Sequence, residues 1–235
     1  MENNRINIWA AKQPPKFKKM YITEMLRYKQ LLKMLPLNLS TVIDIGCGKG
    51  YMDYLLAQEK YTITAVDISE DSLKSFSEIA KKYSITQICA DFFTLDLKNF
   101  DLVLSQEMIE HIEDYQAALD KLYTFVRSGG YGLFSVPYKE NLQAKMINYP
   151  ETGKHVHRNG HLHSFTRNKF VDSIKQAGFK IVRVELITNK RAIKWLASLR
   201  LPVNIITIYL DRILNILFPN KATFIAVLAE KENKA

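Results

Sequence analysis

The run Thr41-Val42-Ile43-Asp44-Ile45-Gly46-Cys47-Gly48-Lys49-Gly50-Tyr51 restricts the fold more than any other part of this 235-residue chain. A short apolar segment ends in a carboxylate, three glycines follow on alternate positions, and Tyr51 to Ala57 reads as the start of a helix. The segment is a strand, a tight turn and a helix. Glycine suits such a turn because a Cβ would block its conformation and keep a ligand's polar groups from the backbone N–H groups at the helix N-terminus. The spacing is G-x-G-x-G rather than the G-x-G-x-x-G of a pyrophosphate-binding loop, which counts against a dinucleotide.

The chain downstream repeats the pattern. Tyr61 to Val66 reads as a second strand ending at Asp67, with Ser69-Glu70-Asp71 opening the next helix by a capping residue and an acidic first turn. At that strand tip Asp67 is placed to accept hydrogen bonds from both hydroxyls of a ribose, with Ile68 against an adenine face; the alternative is that Asp67 only caps the following helix. Thr86 to Ala90 is a third strand ending at Asp91, followed by Phe92 and Phe93, of which at least one is expected in the core. Asp101 to Ser105 is the fourth strand. Gln106 to Ile112 then opens a helix that runs through Phe125 and ends at Ser128-Gly129-Gly130, and Tyr131 to Val136, stopped by Pro137, is the fifth strand. Such alternation gives a parallel sheet with helices on both faces and a ligand crevice at the strand C-terminal ends, where all these polar residues fall.

Two motifs carry a family resemblance: the D-x-G-x-G-x-G run and the segment Gln106-Glu107-Met108-Ile109-Glu110-His111-Ile112 after the fourth strand. Together they resemble the class I S-adenosylmethionine (SAM)-dependent methyltransferases, of the type 11/12 and ubiquinone-biosynthesis O-methyltransferase kind. The resemblance covers about residues 38 to 186 and returns at the last strand. It implies an α/β, Rossmann-like three-layer sandwich with a mostly parallel seven-stranded sheet and an antiparallel last strand, here with a helical insertion before that strand. It implies SAM as cofactor and S-adenosylhomocysteine as product, held by Asp44, Gly46, Cys47, Gly48, Gly50, Asp67, Ile68, Asp91, Phe92, Gln106 and Glu107. Methyl transfer is then an in-line displacement in which the enzyme supplies alignment and exclusion of water.

Specificity is expected in the variable parts. Tyr21, Ile22, Met25, Leu26, Tyr28, Leu31, Leu32 and Leu35 recur at helical spacing from Lys18 to Leu35, where Pro36 stops the run, and this helix is expected to cover the cofactor with Tyr21 on the substrate side. The segment His155 to Thr166 holds four of the five histidines. Pairs His155/His157 and His161/His163 sit two apart, as metal ligands can, but the resemblance implies a metal-free loop, so no metal is expected. His111, His157 and His161 are the candidates for a general base toward a hydroxyl acceptor, while Glu110, His155 and His163 are expected to meet the substrate. Glu110 and His111 fit equally a fixed pair that holds the pocket wall. Cys47 is read as a small turn-filling residue rather than a reactive thiol.

Thr166 is expected to cap a helix from Asn168 to Ala177 closed by Gly178, followed by a sixth strand, Phe179 to Leu186, and a last strand, Ala222 to Ala229. Between them lies an insertion in which Ile206, Leu210, Ile213, Leu214 and Leu217 form an apolar face and Asn204, Asp211 and Asn215 a polar one. With Arg191, Lys194, Arg200 and Lys221 nearby it suits a lid, a dimer contact or an anionic membrane surface, though few basic residues lie on the helix itself. One domain is expected over residues 1–235: arm and helix 1–37, SAM-binding core 38–137, substrate-side loop 138–165 and helical insertion 187–221.

Charge is unevenly placed. Residues 1–39 carry 8 Lys+Arg against 2 Asp+Glu, residues 40–150 carry 10 against 16, and residues 151–235 carry 15 against 6. The basic ends suit an anionic lipid or a phosphorylated substrate, or are simply solvated; no nucleic-acid motif is present, so nucleic acid is not an expected partner. Two cysteines make neither a disulfide framework nor a metal set, and neither a secretory leader nor an apolar run of about 18 residues is found, so a cytoplasmic protein is expected, with peripheral membrane contact open. The expected activity is methyl transfer to a small-molecule, lipid or glycan acceptor at oxygen, by a monomer or homodimer. The alternative is a SAM-binding partner or sensor without turnover.

Overall fold

The structure is a computed structural model that describes residues 20–148 and 153–233. The polar arm containing Trp9, and Lys18 and Lys19 of the expected first helix, lie outside the described residues. Helix α1 (Ile22–Leu32) leads into β1 (Thr41–Ile45), α2 (Tyr51–Gln58), β2 (Thr62–Asp67), the short helices α3 (Glu70–Lys74) and α4 (Ser77–Tyr83), and β3 (Thr86–Cys89). Next come β4 (Phe100–Gln106), α5 (Tyr115–Phe125), β5 (Val126–Pro137), a small hairpin β6 (Met146–Asn148) and β7 (His155–His157), α6 (Arg167–Gln176), and β8 (Lys180–Asn189). Helices α7 (Lys190–Ser198) and α8 (Ile205–Leu217) precede the last strand β9 (Ala222–Glu230).

Seven strands form one sheet in the order β3-β2-β1-β4-β5-β9-β8. β1, β2, β3, β4 and β5 pair in parallel, and β9 runs antiparallel to both β5 and β8. Strand side chains alternate between two faces, so each central strand feeds two cores. Ile43 and Ile45 pack with α5 and α6 through Leu119, Leu122, Phe170 and Ile174. Val42 turns the other way, to Met52, Leu56 and Phe76 on α2 and its neighbours, with Leu31 of α1. This is the expected three-layer sandwich.

Three local expectations are corrected. The segment from Gln106 does not open an α-helix: Glu107 has a left-handed backbone (φ 55°), a single 3-10 turn follows at Ile109–His111, and α5 starts only at Tyr115, where the Asp114 side chain accepts from Ala117 N (2.9 Å). Gly129 and Gly130 do not end that helix. It stops at Phe125 and the chain passes directly into β5, with a register shift between Phe100 and Leu102 on β4 and a left-handed Gly129 (φ 69°) absorbing the extra residues.

The third correction concerns α8. Asp211, Thr207 and Asn215 are buried, whereas Ile206, Ile213 and Leu217 are exposed; of the apolar face read from the sequence only Leu214 is buried and Leu210 partly so. The cause lies at the end of β8, where Thr188 is left-handed (φ 63°) and its N–H and that of Asn189 point out of the ladder. Asp211 accepts both, at 3.0 and 2.6 Å, and also Gln30 Nε2 at 2.7 Å and Asn215 Nδ2 at 2.8 Å. Buried N–H groups need acceptors, so the polar stripe faces inward.

Candidate functional site

Successive strands are added to one side of β1 as far as β3 and to its other side from β4, and the crevice at such a switch point is where α/β sheets bind ligands. A cavity of about 1910 Å³ opens there, lined at one end by Gly46, Gly48, Asp67, Ile68, Asp91, Phe92 and Phe93 and at the other by Glu107, His111, Glu140, His155, His157 and His161. It has room for two ligands of cofactor size.

The glycine turn is required by geometry. A Cβ on Gly46 (φ 76°) would lie 2.8 Å from Met108 Cγ, and one on Gly50 (φ 64°), the residue before α2, would lie 2.4 Å from the Phe76 ring. A Cβ on Gly48 (φ 55°) would meet nothing within 4 Å, which leaves open space beside the loop for a ligand. Asp67 takes part in both roles read from the sequence: Oδ2 accepts from Gly48 N and Oδ1 from Ser69 N, each at 2.8 Å, and each oxygen keeps a further lone pair. Asp91 Oδ1 accepts from Phe93 N at 3.0 Å. Phe92 is buried in the core, as expected of at least one of the pair, while Phe93 and Ile68 are the exposed apolar walls here.

Beyond the turn lies a smaller recess formed by Glu24, Tyr28, Asp44, Cys47, Gln106 and Glu107. Asp44 Oδ1, both polar atoms of the Gln106 side chain and Ser105 Oγ are buried without a hydrogen-bond partner. Burial, with the Asp67 charge adding to it, pushes the Asp44 carboxyl up to about 7, and burial does the same to Glu107, to about 7, against the pull of Arg27. Asp53 is raised well above the usual carboxylate range by burial and Asp44. Burial and Asp53 also raise the Cys47 thiol, which therefore stays protonated, in keeping with a turn filler.

The N-terminal helix contributes differently from expectation. Tyr21 is exposed outside the cavity lining, and the same helix instead brings Glu24 and Arg27 to it. Arg27 lies over the Phe224 ring (4.9 Å), with Nη2 donating to Tyr28 Oη (2.9 Å) and Nη1 3.8 Å from Glu107 Oε2. A signal existed in the sequence: Glu24, Arg27 and Leu31 share one helical face, so the cation sits on the side that Leu31 buries.

The histidine segment divides. His163 turns away from the cavity, its Nε2 donating to Ile112 O (2.9 Å) and Glu113 O (3.1 Å), and Leu162 N–H binds Glu110 O (2.8 Å); these bonds latch the loop to the 3-10 turn. His155 is an exposed rim residue bonded to Asn148 Oδ1 (2.9 Å). The pairs His155/His157 and His161/His163 are therefore not brought together. Instead His111, His161 and His157 follow one another with ring centroids 4.7 Å apart at each step, His111 edge-on to His161 and His161 stacked on His157. His157 Nδ1 accepts from Asn159 N and His161 N, so its ring proton is on Nε2. His161 Nδ1 donates to Glu140 Oε2 in a short hydrogen bond, which leaves Nε2 as the lone-pair atom, 3.9 Å from Glu110 Oε1. Burial, together with His161, lowers the His111 pKa to about 4, and burial with Glu107 raises Glu110 well above the carboxylate range. Glu140, missed in the sequence, resists the upward push of burial through Lys145 and His161 and stays below its ordinary value. Glu110, His111 and His161 each offer a ligand atom within 4.8 Å of the others, as do Glu140, His157 and His161, so either set has the spacing to hold a metal ion.

The family described as "Methyltransferase domain" matches residues 17–184. The chain belongs to that family. An uncharacterised methyltransferase of Mycobacterium tuberculosis is 37% identical over 108 residues, 45% of this chain and 55% of the relative. The ubiquinone biosynthesis O-methyltransferase of Coxiella burnetii is 30% identical over 125 residues, 51% of this chain and 53% of that protein. This chain thus spans about half the length of the curated relatives it matches. A crystal structure of a SAM-dependent methyltransferase from Mesorhizobium loti superposes with a TM-score of 0.64 at 21% identity, over 87% of this chain and 97% of that one, and shares its fold. The open glycine turn and the buried, unpartnered Asp44 Oδ1 and Gln106 side-chain atoms fit SAM, the cofactor that the sequence resemblance implied.

Proposed function

We propose that this chain transfers a methyl group from SAM to a hydroxyl of a small-molecule, lipid or glycan acceptor, with His161 as the general base. When bound, SAM supplies the methyl group on its sulfonium. Ile68, Asp67, Asp91 and Phe93 suit its adenosine end; Asp44, Gln106 and Glu107 suit the ammonium, and Arg27 the carboxylate, of its methionine end. Cys47, in the turn, and Phe92, in the cavity wall, flank it. His161 is favoured over His111 and His157 by one observation: Glu140 fixes its Nδ1–H, which leaves Nε2 of this cavity-lining residue free to take a proton, and the imidazolium then formed keeps that carboxylate as partner. His157, already using its lone pair on two backbone N–H groups, has only a proton to offer. The name of the Coxiella relative supports oxygen as the methylated atom.

The unpartnered oxygens of Glu110 favour a second reading, in which a divalent cation on Glu110, His111 and His161 binds and acidifies the acceptor hydroxyl. One set of experiments separates these. Labelled SAM is incubated with extracts of lipids, quinones, sugars and amines, with and without prior chelation. Transfer that survives chelation and falls roughly 100-fold or more in His161→Ala, with cofactor affinity intact, supports the base. Loss on chelation with recovery on added Zn²⁺ or Mn²⁺ supports the cation. SAM binding without transfer to any fraction returns the protein to the class of non-catalytic SAM-binding partners or sensors.

A further inference from the structure

The α7–α8 insertion leaves an apolar stripe with no partner among the described residues. Ile206 (74% exposed), Tyr209, Ile213 (54%), Ile216 (78%) and Leu217 recur at helical spacing along one side of α8, and the preceding helix and its connection expose Trp195, Leu199 and Leu201 as well. This is not a failed core. Leu26, Ala192, Leu196, Ile208 and Leu214 already pack α8 and α7 against α1 on the other side, and Asp211 is locked into the inner face. A contiguous apolar face outside a satisfied core marks an interaction surface.

Charge says what covers it. Residues 187–221 contain six cations, Lys190, Arg191, Lys194, Arg200, Arg212 and Lys221, and one acid, Asp211, which is fully buried. Arg212 is paired with Glu185 at 3.2 Å, while Lys190, Arg191, Lys194, Arg200 and Lys221 have no carboxylate within 4 Å among the described residues. The insertion therefore shows solvent an apolar stripe and a tryptophan flanked only by positive charge. We infer that it docks on an anionic lipid bilayer, with the α8 stripe and Trp195 in the headgroup region and Lys194, Arg200 and their neighbours against lipid phosphates.

A second copy fits worse, because a two-fold contact through this face sets the same cations of both copies against each other. The chain's own first 19 residues fit worse too, carrying Arg5, Lys12, Lys16, Lys18 and Lys19 against Glu2. Few basic residues lie on α8 itself; the charge comes from α7 and the connecting segments. Lys190 and Asn220, at the two ends of the insertion, also line the main cavity, so docking holds the acceptor opening at the bilayer. The surface is independent of how the methyl group is transferred.

The test is flotation of the full chain with vesicles of phosphatidylcholine alone or mixed with phosphatidylglycerol, with SAM affinity measured on the same samples. Binding is expected only to the mixed vesicles, weakening as salt is raised. Lys194→Ala with Arg200→Ala is expected to weaken partitioning roughly thirty-fold at unchanged SAM affinity, about tenfold or less per charge. Ile213→Ser with Ile216→Ser is expected to do so through lost insertion, and in a Trp9→Phe background the emission of Trp195 shifts to the blue on binding only when the stripe is intact. Absence of flotation with mixed vesicles, binding indifferent to lipid charge, or a stable dimer in solution that the serine variants dissociate would each overturn the inference.

Discussion

Asp67 shows how one side chain carries both a fold and a function. Its two oxygens tie the glycine turn, through Gly48 N, to the first turn of α3, through Ser69 N. Their remaining lone pairs are what a ribose would use. Asp67→Ala is therefore expected to lower SAM affinity about 100-fold or more, for two lost hydrogen bonds to a charged acceptor, and also to lower Tm because two backbone N–H groups lose their partner. Calorimetric titration and a melting curve check both; unchanged SAM affinity sinks the ribose assignment. The sequence showed this residue because a strand-tip carboxylate after a glycine turn has few other uses. It could not show that His163 faces away from the site while His161 faces in. Alternation along an extended segment puts both on one side, and only the bonds to Ile112 O and Glu113 O decide otherwise.

At the scale of the element, α8 is where the sequence reading inverted. Apolar residues at helical spacing point to the core only when nothing else demands that face. Here the end of β8 presents buried N–H groups at Thr188 and Asn189, and a buried donor left unpaired costs more than an exposed isoleucine does. No local pattern carries that demand, because it arises from a left-handed threonine some 20 residues away in sequence. Two substitutions separate the arrangements. Asp211→Ala is expected to cost about 3 kcal/mol, roughly a 10 °C fall in Tm, since it orphans several donors at once. Ile213→Ser is expected to change stability by less than about 0.5 kcal/mol, as surface replacements do. Thermal melts with the reverse ranking would show that the apolar stripe faces the core.

At the scale of the whole molecule, the parallel sheet and the cofactor crevice were legible because β1 to β5 alternate with helices and each tip carries its polar residue, while the antiparallel last strand came from the family resemblance and the strand order from the structure. Arg27 and Glu140 were not, since each reaches the site from a segment whose position the topology, not the motif, determines. The finished fold also holds carboxylates that it does not neutralise. Asp44 sits at about 7 because burial and Asp67 oppose its charge. A folded-state pKa above the ordinary value near 3.8 contributes stability at low pH that is lost as pH rises through about 7. Asp44→Asn removes that loss. The variant should match the wild type near pH 4 and exceed it progressively up to pH 8, by at most about 4 kcal/mol for a shift of some three units. Its cofactor response should move the other way. A cation beside Asp44 favours the ionised carboxylate, so wild-type SAM binding releases a proton below about pH 7 and weakens as pH falls, whereas the variant binds weakly at every pH and shows little SAM-induced rise in Tm. Melts across pH with and without SAM measure both quantities together. A variant no more stable than the wild type at pH 8, or one that keeps the full SAM-induced rise, would mean that Asp44 is not held in reserve for the cofactor's positive end.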